Sequence, residues 1–345
     1  MRTEETMSSR IVDPNVQIAL RAQNEILRFH NDREMKAMRN KTGGGELFHY
    51  TSADGLKGIV EDSAIWATSA YYLNDSSEML YGYSILNTVL DDWLLKHPRS
   101  LDSLPRRIAL NLRGEFGELL PKGLMFHPIF LACFCEEDNL LSQWRAYGKT
   151  GGYSIGISCE SEGIAQNLKP EPSVYSARWL KVTYDKIEQE SRCRSTLDSL
   201  FDILADPKLA SAIQEIHDSA VWGYTVLFKL IRDILLEEIV AFKNEAFAVE
   251  KEWRIVVRPR EVVKQGMDDG GKALIPIMFR TMDGQLIPYV RMVPSGPNEK
   301  LPLVSVRSGP TKEETTARLA IRLLLHKHKY DFVKSVEGSK IPVRF

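Results

Sequence analysis

The irregular order of strand-like and helix-like segments most constrains what this chain can fold into. Short apolar runs typical of strands lie near residues 47–51, 64–68, 129–134, 151–158, 178–184 and 252–257. Stretches with helical spacing fall between them at uneven intervals. Such a pattern favours an α+β architecture over a doubly wound parallel sheet. With 345 residues, of which 43% are hydrophobic, the chain can form one large domain or two small ones.

The N-terminal part of the chain is predicted to be separate from the main domain. Residues 14–39 have helical spacing, and Pro14 suits the first turn of a helix. The glycine-rich residues 41–45 end this helix and are typical of a hinge. We therefore predict a leader with a helix over 1–45 and a single α+β domain over 46–345.

Charge and hydropathy argue against a broad nucleic-acid-binding surface and against a membrane span, while a local basic groove stays open. The net charge is −1, and no long block carries one sign, so a broad electrostatic footprint for nucleic acid is not expected. No apolar run reaches the roughly 18 residues that span a bilayer, and the first 15 residues are polar. The four cysteines (Cys133, Cys135, Cys159 and Cys193) have no zinc-site spacing. We expect a cytoplasmic protein with reduced thiols and no metal.

Two motifs near the start of the main domain combine aromatic and polar side chains. His49 lies in a strand-like run, where a neutral imidazole donates from one ring nitrogen and accepts at the other. Tyr71 and Tyr72 lie where a strand gives way to a turn, and each ring either packs on the core or stacks on a planar heterocycle. Asn74 and Asp75 either shape this turn or line a site.

A third motif, residues 142–148, is rich in polar and aromatic side chains. Its Arg145 offers a planar guanidinium that suits a phosphate or a carboxylate ligand. The alternative is a structural arginine paired with a core carboxylate.

The most suggestive local feature is a pair of glutamates that leads into an apolar strand. Strand alternation predicts Glu250 and Glu252 on one face, where each raises the pKa of the other if both are buried. In a cleft, one carboxylate polarises a sugar hydroxyl and the other orients a nucleophile. Alternatively, Arg254 and Arg258 follow on the same strand and neutralise both glutamates.

The motifs together resemble a bacterial family known as domain of unknown function 2971. The resemblance rests on residues 48–51, 65–68, 72–75, 142–148, 250–254 and 339–344, in this order along the chain. This family name carries no function.

A more distant resemblance, to the ADP-ribosyltransferase fold, does imply a function. The order of a His-Tyr-Thr strand, a short helix, a strand ending in aromatic residues and a late Glu-x-Glu is similar to that superfamily. It implies that His49 contacts a ribose of NAD, that Tyr72 or Tyr71 stacks on nicotinamide, and that Glu252 holds the nicotinamide ribose, with Glu250 as the first acid. The chain departs from the superfamily in having Ala-Thr-Ser at 67–69 instead of Ser-Thr-Ser, and in its long segment between 97 and 245.

The resemblance implies an enzyme that transfers ADP-ribose from NAD to a protein or nucleic-acid acceptor, as a toxin or phage-defence effector. The glycosidic bond to nicotinamide would break through an oxocarbenium-like transition state, and Arg145 would hold the pyrophosphate. The expected catalytic residues are Glu250 and Glu252, and the expected NAD-binding residues are His49, Tyr50, Thr51, Tyr71, Tyr72, Asn74 and Arg145. Two alternatives stay open: a nucleotide- or partner-binding module without turnover, and a metal-dependent hydrolase of nucleotides or nucleic acid.

Overall fold

The computed structural model describes most of the chain. The described residues are 14–39, 45–73, 77–98, 103–118, 128–147, 152–158, 168–171, 175–215, 220–259, 277–282, 284–294, 299–311 and 313–342. They group into two compact units. The first unit draws on residues within Met1–Arg33, Tyr83–Leu119 and Glu190–Ile239. The second unit draws on residues within Glu34–Gly82, Leu120–Gln189 and Val240–Phe345.

Eleven described strands form one mixed sheet in the second unit. They are β1 (Glu46–Thr51), β2 (Ile65–Ser69), β3 (Phe130–Cys135), β4 (Tyr153–Ser158), β5 (Leu168–Glu171), β6 (Tyr175–Lys181), β7 (Glu252–Pro259), β8 (Met278–Met282), β9 (Gln285–Pro294), β10 (Leu303–Ser308) and β11 (Ser335–Gly338). The main path runs β11-β10-β4-β1-β3-β2-β9-β5, while β7 joins β3 to β6 and β8 pairs with β9. Only the β10–β11 pairing is parallel among the described strands.

Helices account for most of the remaining described residues. They are α1 (Pro14–Arg39), α2 (Ala53–Asp62), α3 (Ser77–Lys96), α4 (Leu104–Glu118), α5 (Leu141–Tyr147), α6 (Lys186–Leu204), α7 (Pro207–Glu215), α8 (Ala220–Ile239) and α9 (Glu314–Lys327). Two short 3-10 helices, Ala70–Tyr72 and Glu245–Glu250, follow β2 and precede β7. No helix among the described residues is both long enough and apolar enough to cross a membrane.

One face of the sheet forms the main core with α2 and α9. Helix α2 begins because the Ser52 side chain accepts a hydrogen bond from the Gly55 amide, and its apolar residues bury one stripe. Ile321 and Leu325 of α9 lie in the same cluster as Phe130 and Phe134 of β3. Alternation along β3 then turns Leu131, Cys133 and Cys135 to the opposite face of the sheet.

Strand β3 has an irregular edge toward β1 and β2. On its other edge, all six residues of β3 pair with β7. On the irregular edge, Phe48 of β1 pairs with Cys135, whereas β2 pairs with Leu131 and Phe130. In the described pairings, residues 132–134 on this edge of β3 pair with neither β1 nor β2. Their backbone groups are therefore open to hydrogen bonds with side chains.

The first unit is helical and contains a buried contact between a histidine and a glutamate. His30 of α1 places Nε2 2.8 Å from the Glu237 carboxylate of α8, and both side chains are buried. Ile26 lies fully buried one turn earlier on α1.

The mixed α+β architecture predicted from the sequence is confirmed, and α1 has the predicted bounds. Asn74, Cys159 and most of the glycine-rich hinge lie outside the described residues. The division at residue 45 stays a prediction.

Candidate functional site

A buried ion pair between two residues on the same face of β7, two positions apart, is the centre of the site. The Arg254 side chain is 2% exposed, and its Nε donates to Glu252 Oε1 over 2.8 Å. Its two terminal nitrogens donate to the Val240 carbonyl and to Glu78 Oε2, each over 2.6 Å. Arginine suits this position because its planar guanidinium donates in several fixed directions at once.

A lysine joins three carboxylates beside this pair. Lys243 Nζ lies 2.6 Å from Glu250, 3.0 Å from Glu252 and 3.1 Å from Glu78. The ring of Phe247 lies against the same ammonium group, 4.9 Å from its centroid. Three carboxylates thus surround two cations, and the site carries one excess negative charge when all five groups are ionised.

The chain reaches this arrangement differently from the sequence prediction. Glu250 and Glu252 do not share a strand face by alternation, because Glu250 ends the 3-10 helix Glu245–Glu250. Lys251 then adopts a left-handed conformation with φ 44°, and β7 begins only at Glu252. The predicted alternation is therefore wrong, and the turn brings both carboxylates to Lys243 instead.

The pKa values of the two glutamates shift in opposite directions. Burial alone would raise the pKa of Glu252, but Arg254 and Lys243 outweigh it and lower the pKa to about 2. Burial raises the pKa of Glu250, and Lys243 offsets this only in part. Burial opposes the charge of Lys243, yet Glu252 and Glu78 hold its pKa above the ordinary value. Glu252 is therefore a fixed anion, and Glu250 is the carboxylate that takes up a proton more readily.

Cys133 connects the network with His49. Its thiol hydrogen-bonds Glu252, and burial raises the pKa of this thiol well above its usual range. Its backbone carbonyl lies 2.9 Å from Nδ1 of His49, at the irregular edge of β3. Burial lowers the pKa of His49 further than the Cys133 carbonyl raises it, so the ring is neutral. A neutral ring that donates from Nδ1 keeps Nε2 as an acceptor.

His49 and Glu252 lie on opposite faces of the sheet. Phe48 pairs with Cys135, which pairs with Glu252, so these three residues share a face. His49 follows Phe48, and its ring packs 5.5 Å from that of Phe134. The two predicted site residues are therefore joined through Cys133 and do not converge directly.

Two of the sequence motifs meet in a structural contact. The Tyr50 ring packs edge-on against that of Trp144, with centroids 4.8 Å apart. The Tyr50 hydroxyl donates to the Glu137 carbonyl and accepts from the Leu140 amide. Trp144 donates from its indole to Asn139. Tyr50 and Trp144 therefore hold the turn between β3 and α5.

The other predicted site residues that the structure describes lie on three different elements. Thr51 is half-buried at the end of β1, and Arg145 is exposed on α5. Tyr71 and Tyr72 are half-buried in the 3-10 helix after β2.

The sequence prediction missed Glu78 and Lys243. Glu78 lies in the first turn of α3 and resembles any helix-capping acid. Lys243 directly follows the buried run 239–242. Because lysine is rarely buried unless it is paired, a lysine at the end of this apolar run was the sequence signal for a buried charge network. Within the described residues, no group of three or more His, Cys, Asp or Glu side chains is arranged to hold a metal ion.

Comparison with known proteins supports one of the two resemblances. Residues 143–255, about a third of the chain, match the model of a protein family of unknown function, DUF2971. The matching span includes all but the first residue of the third motif, and both glutamates with Arg254. No curated protein and no solved structure matches the chain.

Replacing Arg254 with methionine is expected to destabilise the protein by about 3–5 kcal/mol, because Glu252 and Glu78 lose a buried counter-charge. Equilibrium urea unfolding measures this change. Lys251→Met is the control, since Lys251 pairs with Glu137 at the surface, where both side chains are about half exposed. Its cost should stay within about 1 kcal/mol. Equal losses in the two variants would contradict the central role of Arg254.

The Glu252 carboxylate is expected to make stability depend on pH. Because its folded pKa is about 2 against an ordinary 4.5, its contribution is fully present above about pH 4.5 and is lost as the pH falls toward 2. Glu252→Gln should flatten the free energy of unfolding against pH in this window. Glu250→Gln should leave that slope in place, since the raised pKa of Glu250 gives the opposite dependence. An unchanged slope in Glu252→Gln would refute the assignment.

Proposed function

We propose that the chain is an ADP-ribosyltransferase-like enzyme that uses NAD to modify a protein or nucleic-acid acceptor. One observation carries the proposal: Glu250 and Glu252 meet at Lys243 with their pKa values pushed in opposite directions. Paired carboxylates that differ in this way are typical of sites that cleave glycosidic bonds. A role as a toxin or phage-defence effector belongs to the same proposal.

In the proposed reaction, Glu250 is the general base. The bond between nicotinamide and the ribose C1′ breaks, and its electron pair returns to the pyridinium ring. An acceptor nucleophile bonds to C1′, and its proton passes to Glu250. The excess negative charge of the network stabilises the oxocarbenium-like transition state.

Glu252 has a positioning role in this scheme. One of its oxygens accepts from Arg254 Nε, and the other accepts from Lys243 Nζ and from Arg254. Glu252 thereby fixes Lys243, which in turn holds Glu250. The sequence prediction gave the sugar contact to Glu252, whereas the partial exposure of Glu250 supports Glu250 in contact with substrate.

A binding module without turnover is the second candidate. The full engagement of Glu252 with Arg254 and Lys243 favours it, since no oxygen of Glu252 is left without a partner. A metal-dependent hydrolase has less support. The Lys243 ammonium occupies the place between the carboxylates that a divalent cation would take.

Glu250→Gln is expected to lower the rate of nicotinamide release from NAD by about 10²- to 10⁴-fold, the usual contribution of a general base. The thermal shift induced by NAD should remain, since this substitution is nearly isosteric. Glu245→Gln is the matched control, because Glu245 is exposed at the start of the same 3-10 helix. Its rate should equal that of the wild type.

Binding and turnover are measured separately in this experiment. The wild type should show a thermal shift with NAD, which at about 100 times the dissociation constant corresponds to roughly 2.7 kcal/mol. No shift of the wild type at millimolar NAD would exclude the proposal. A shift without nicotinamide release would favour the binding module.

A further inference from the structure

Arg280 of β8 is a half-buried arginine with a single side-chain hydrogen bond in the described structure. Its Nη2 donates to Thr68 Oγ1 over 2.9 Å. Its Nε is buried and has no acceptor among the described residues. A guanidinium has five N–H donors, so most of the hydrogen-bonding capacity of Arg280 is unused.

No carboxylate of the described residues forms an ion pair with Arg280. Nearby Arg291, in contrast, bonds Glu171 over 2.8 Å, and Arg254 bonds two glutamates. Burial correspondingly lowers the pKa of Arg280, and Tyr289 offsets this only in part. A partly buried cation without a counter-charge is costly, so an anionic ligand that reaches it binds with a favourable electrostatic term.

Aromatic rings form one wall beside this guanidinium. Arg280 lies over the Trp66 ring, 5.4 Å from its centroid, and Tyr289 packs against Trp66 at 5.0 Å. The Trp66 indole nitrogen is also buried without an acceptor among the described residues. Trp66, whose ring lies beneath Arg280, therefore supplies a second hydrogen-bond donor without an acceptor among the described residues.

Register places this cluster on the same face of the sheet as the carboxylate network. Thr68 pairs with Leu131, and Glu252 pairs with Cys135. Leu131 and Cys135 are four residues apart on β3, roughly 13 Å at about 3.3 Å per residue. The cluster therefore lies on the face of the sheet that carries Glu252.

We propose that Arg280, Thr68 and Trp66 form a subsite for the phosphoryl groups of a nucleotide. The subsite rests on the proposed function in one respect, that the phosphoryl groups are the pyrophosphate of NAD. In this proposal Arg280 holds the pyrophosphate. The sequence motifs predicted that role for Arg145, which is exposed on α5. Paired Arg–phosphate contacts are among the strongest hydrogen bonds in proteins.

Calorimetric titration of the full chain with pyrophosphate, ADP-ribose and adenosine tests the subsite. Wild type should bind pyrophosphate and ADP-ribose, and Arg280→Gln should weaken both by about tenfold or more. Arg291→Gln is the matched control, because Arg291 pairs across the sheet with Trp66 but is neutralised by Glu171. It should bind pyrophosphate as the wild type does. Adenosine, which lacks phosphate, should bind Arg280→Gln and wild type equally.

Thermal unfolding checks that Arg280→Gln is folded. Its melting temperature should equal or exceed that of the wild type, because the substitution removes an uncompensated charge. Unchanged pyrophosphate and ADP-ribose binding in Arg280→Gln, or no binding of either by the wild type, would overturn the subsite. Pyrophosphate binding that depends on Arg280, without nicotinamide release from NAD, would leave the subsite intact and remove the proposed transferase activity.

Discussion

The contact between Arg254 and Glu252 is the constraint on which the site depends. A charged pair in a protein interior loses its hydration, and only good geometry with further hydrogen bonds offsets this loss. Here the guanidinium bonds both glutamate oxygens, Glu78 and a backbone carbonyl. Such a pair adds little to the free energy of unfolding when compared with apolar residues in the same positions. Any fold that separates the two charges is, however, strongly disfavoured, because each charge would then be buried without a partner. The pair therefore acts on the specificity of the fold more than on its total stability.

The same pair fixes backbone segments that are distant in sequence. The Glu252 amide donates to the Tyr184 hydroxyl, and the Val182 amide donates to the Glu252 carbonyl. Gln189, fully buried, donates to the carbonyls of Thr183 and Lys243. Lys243 is thus held by its backbone as well as by its ammonium group. This rigidity is what a preorganised electrostatic site needs, since its charges do not reorient when a ligand arrives.

Sequence patterns predicted the elements better than they predicted the site. Apolar periodicity identified α1, because this signal is local. Glu250 was misplaced because the left-handed Lys251 breaks the alternation, and non-glycine residues give little warning of this conformation.

The residues that the sequence prediction missed act through contacts between positions that are far apart in sequence. Arg280 lies in an exposed hairpin, and its importance depends on Thr68, 212 positions away in sequence. Glu78 and Arg254, 176 positions apart, form the equivalent contact in the network. Neither contact leaves a periodic pattern, and Arg280 reaches Thr68 because β8 pairs with β9 and β9 pairs with β2.

The charges on this face of the sheet are distributed unequally, and this bears on how a ligand would be oriented. Around Lys243 and Arg254, carboxylates outnumber cations, whereas Arg280 has no carboxylate partner in the described structure. NAD carries a positive pyridinium ring at one end and a negative pyrophosphate nearer its middle. Under the proposed function, the electrostatic energy is therefore lowest with nicotinamide toward Glu250 and pyrophosphate toward Arg280. The reversed orientation would place phosphate oxygens beside excess carboxylate, where like charges repel in a weakly screened environment. Charge alone thus selects the orientation that brings the scissile bond to the carboxylate with the raised pKa.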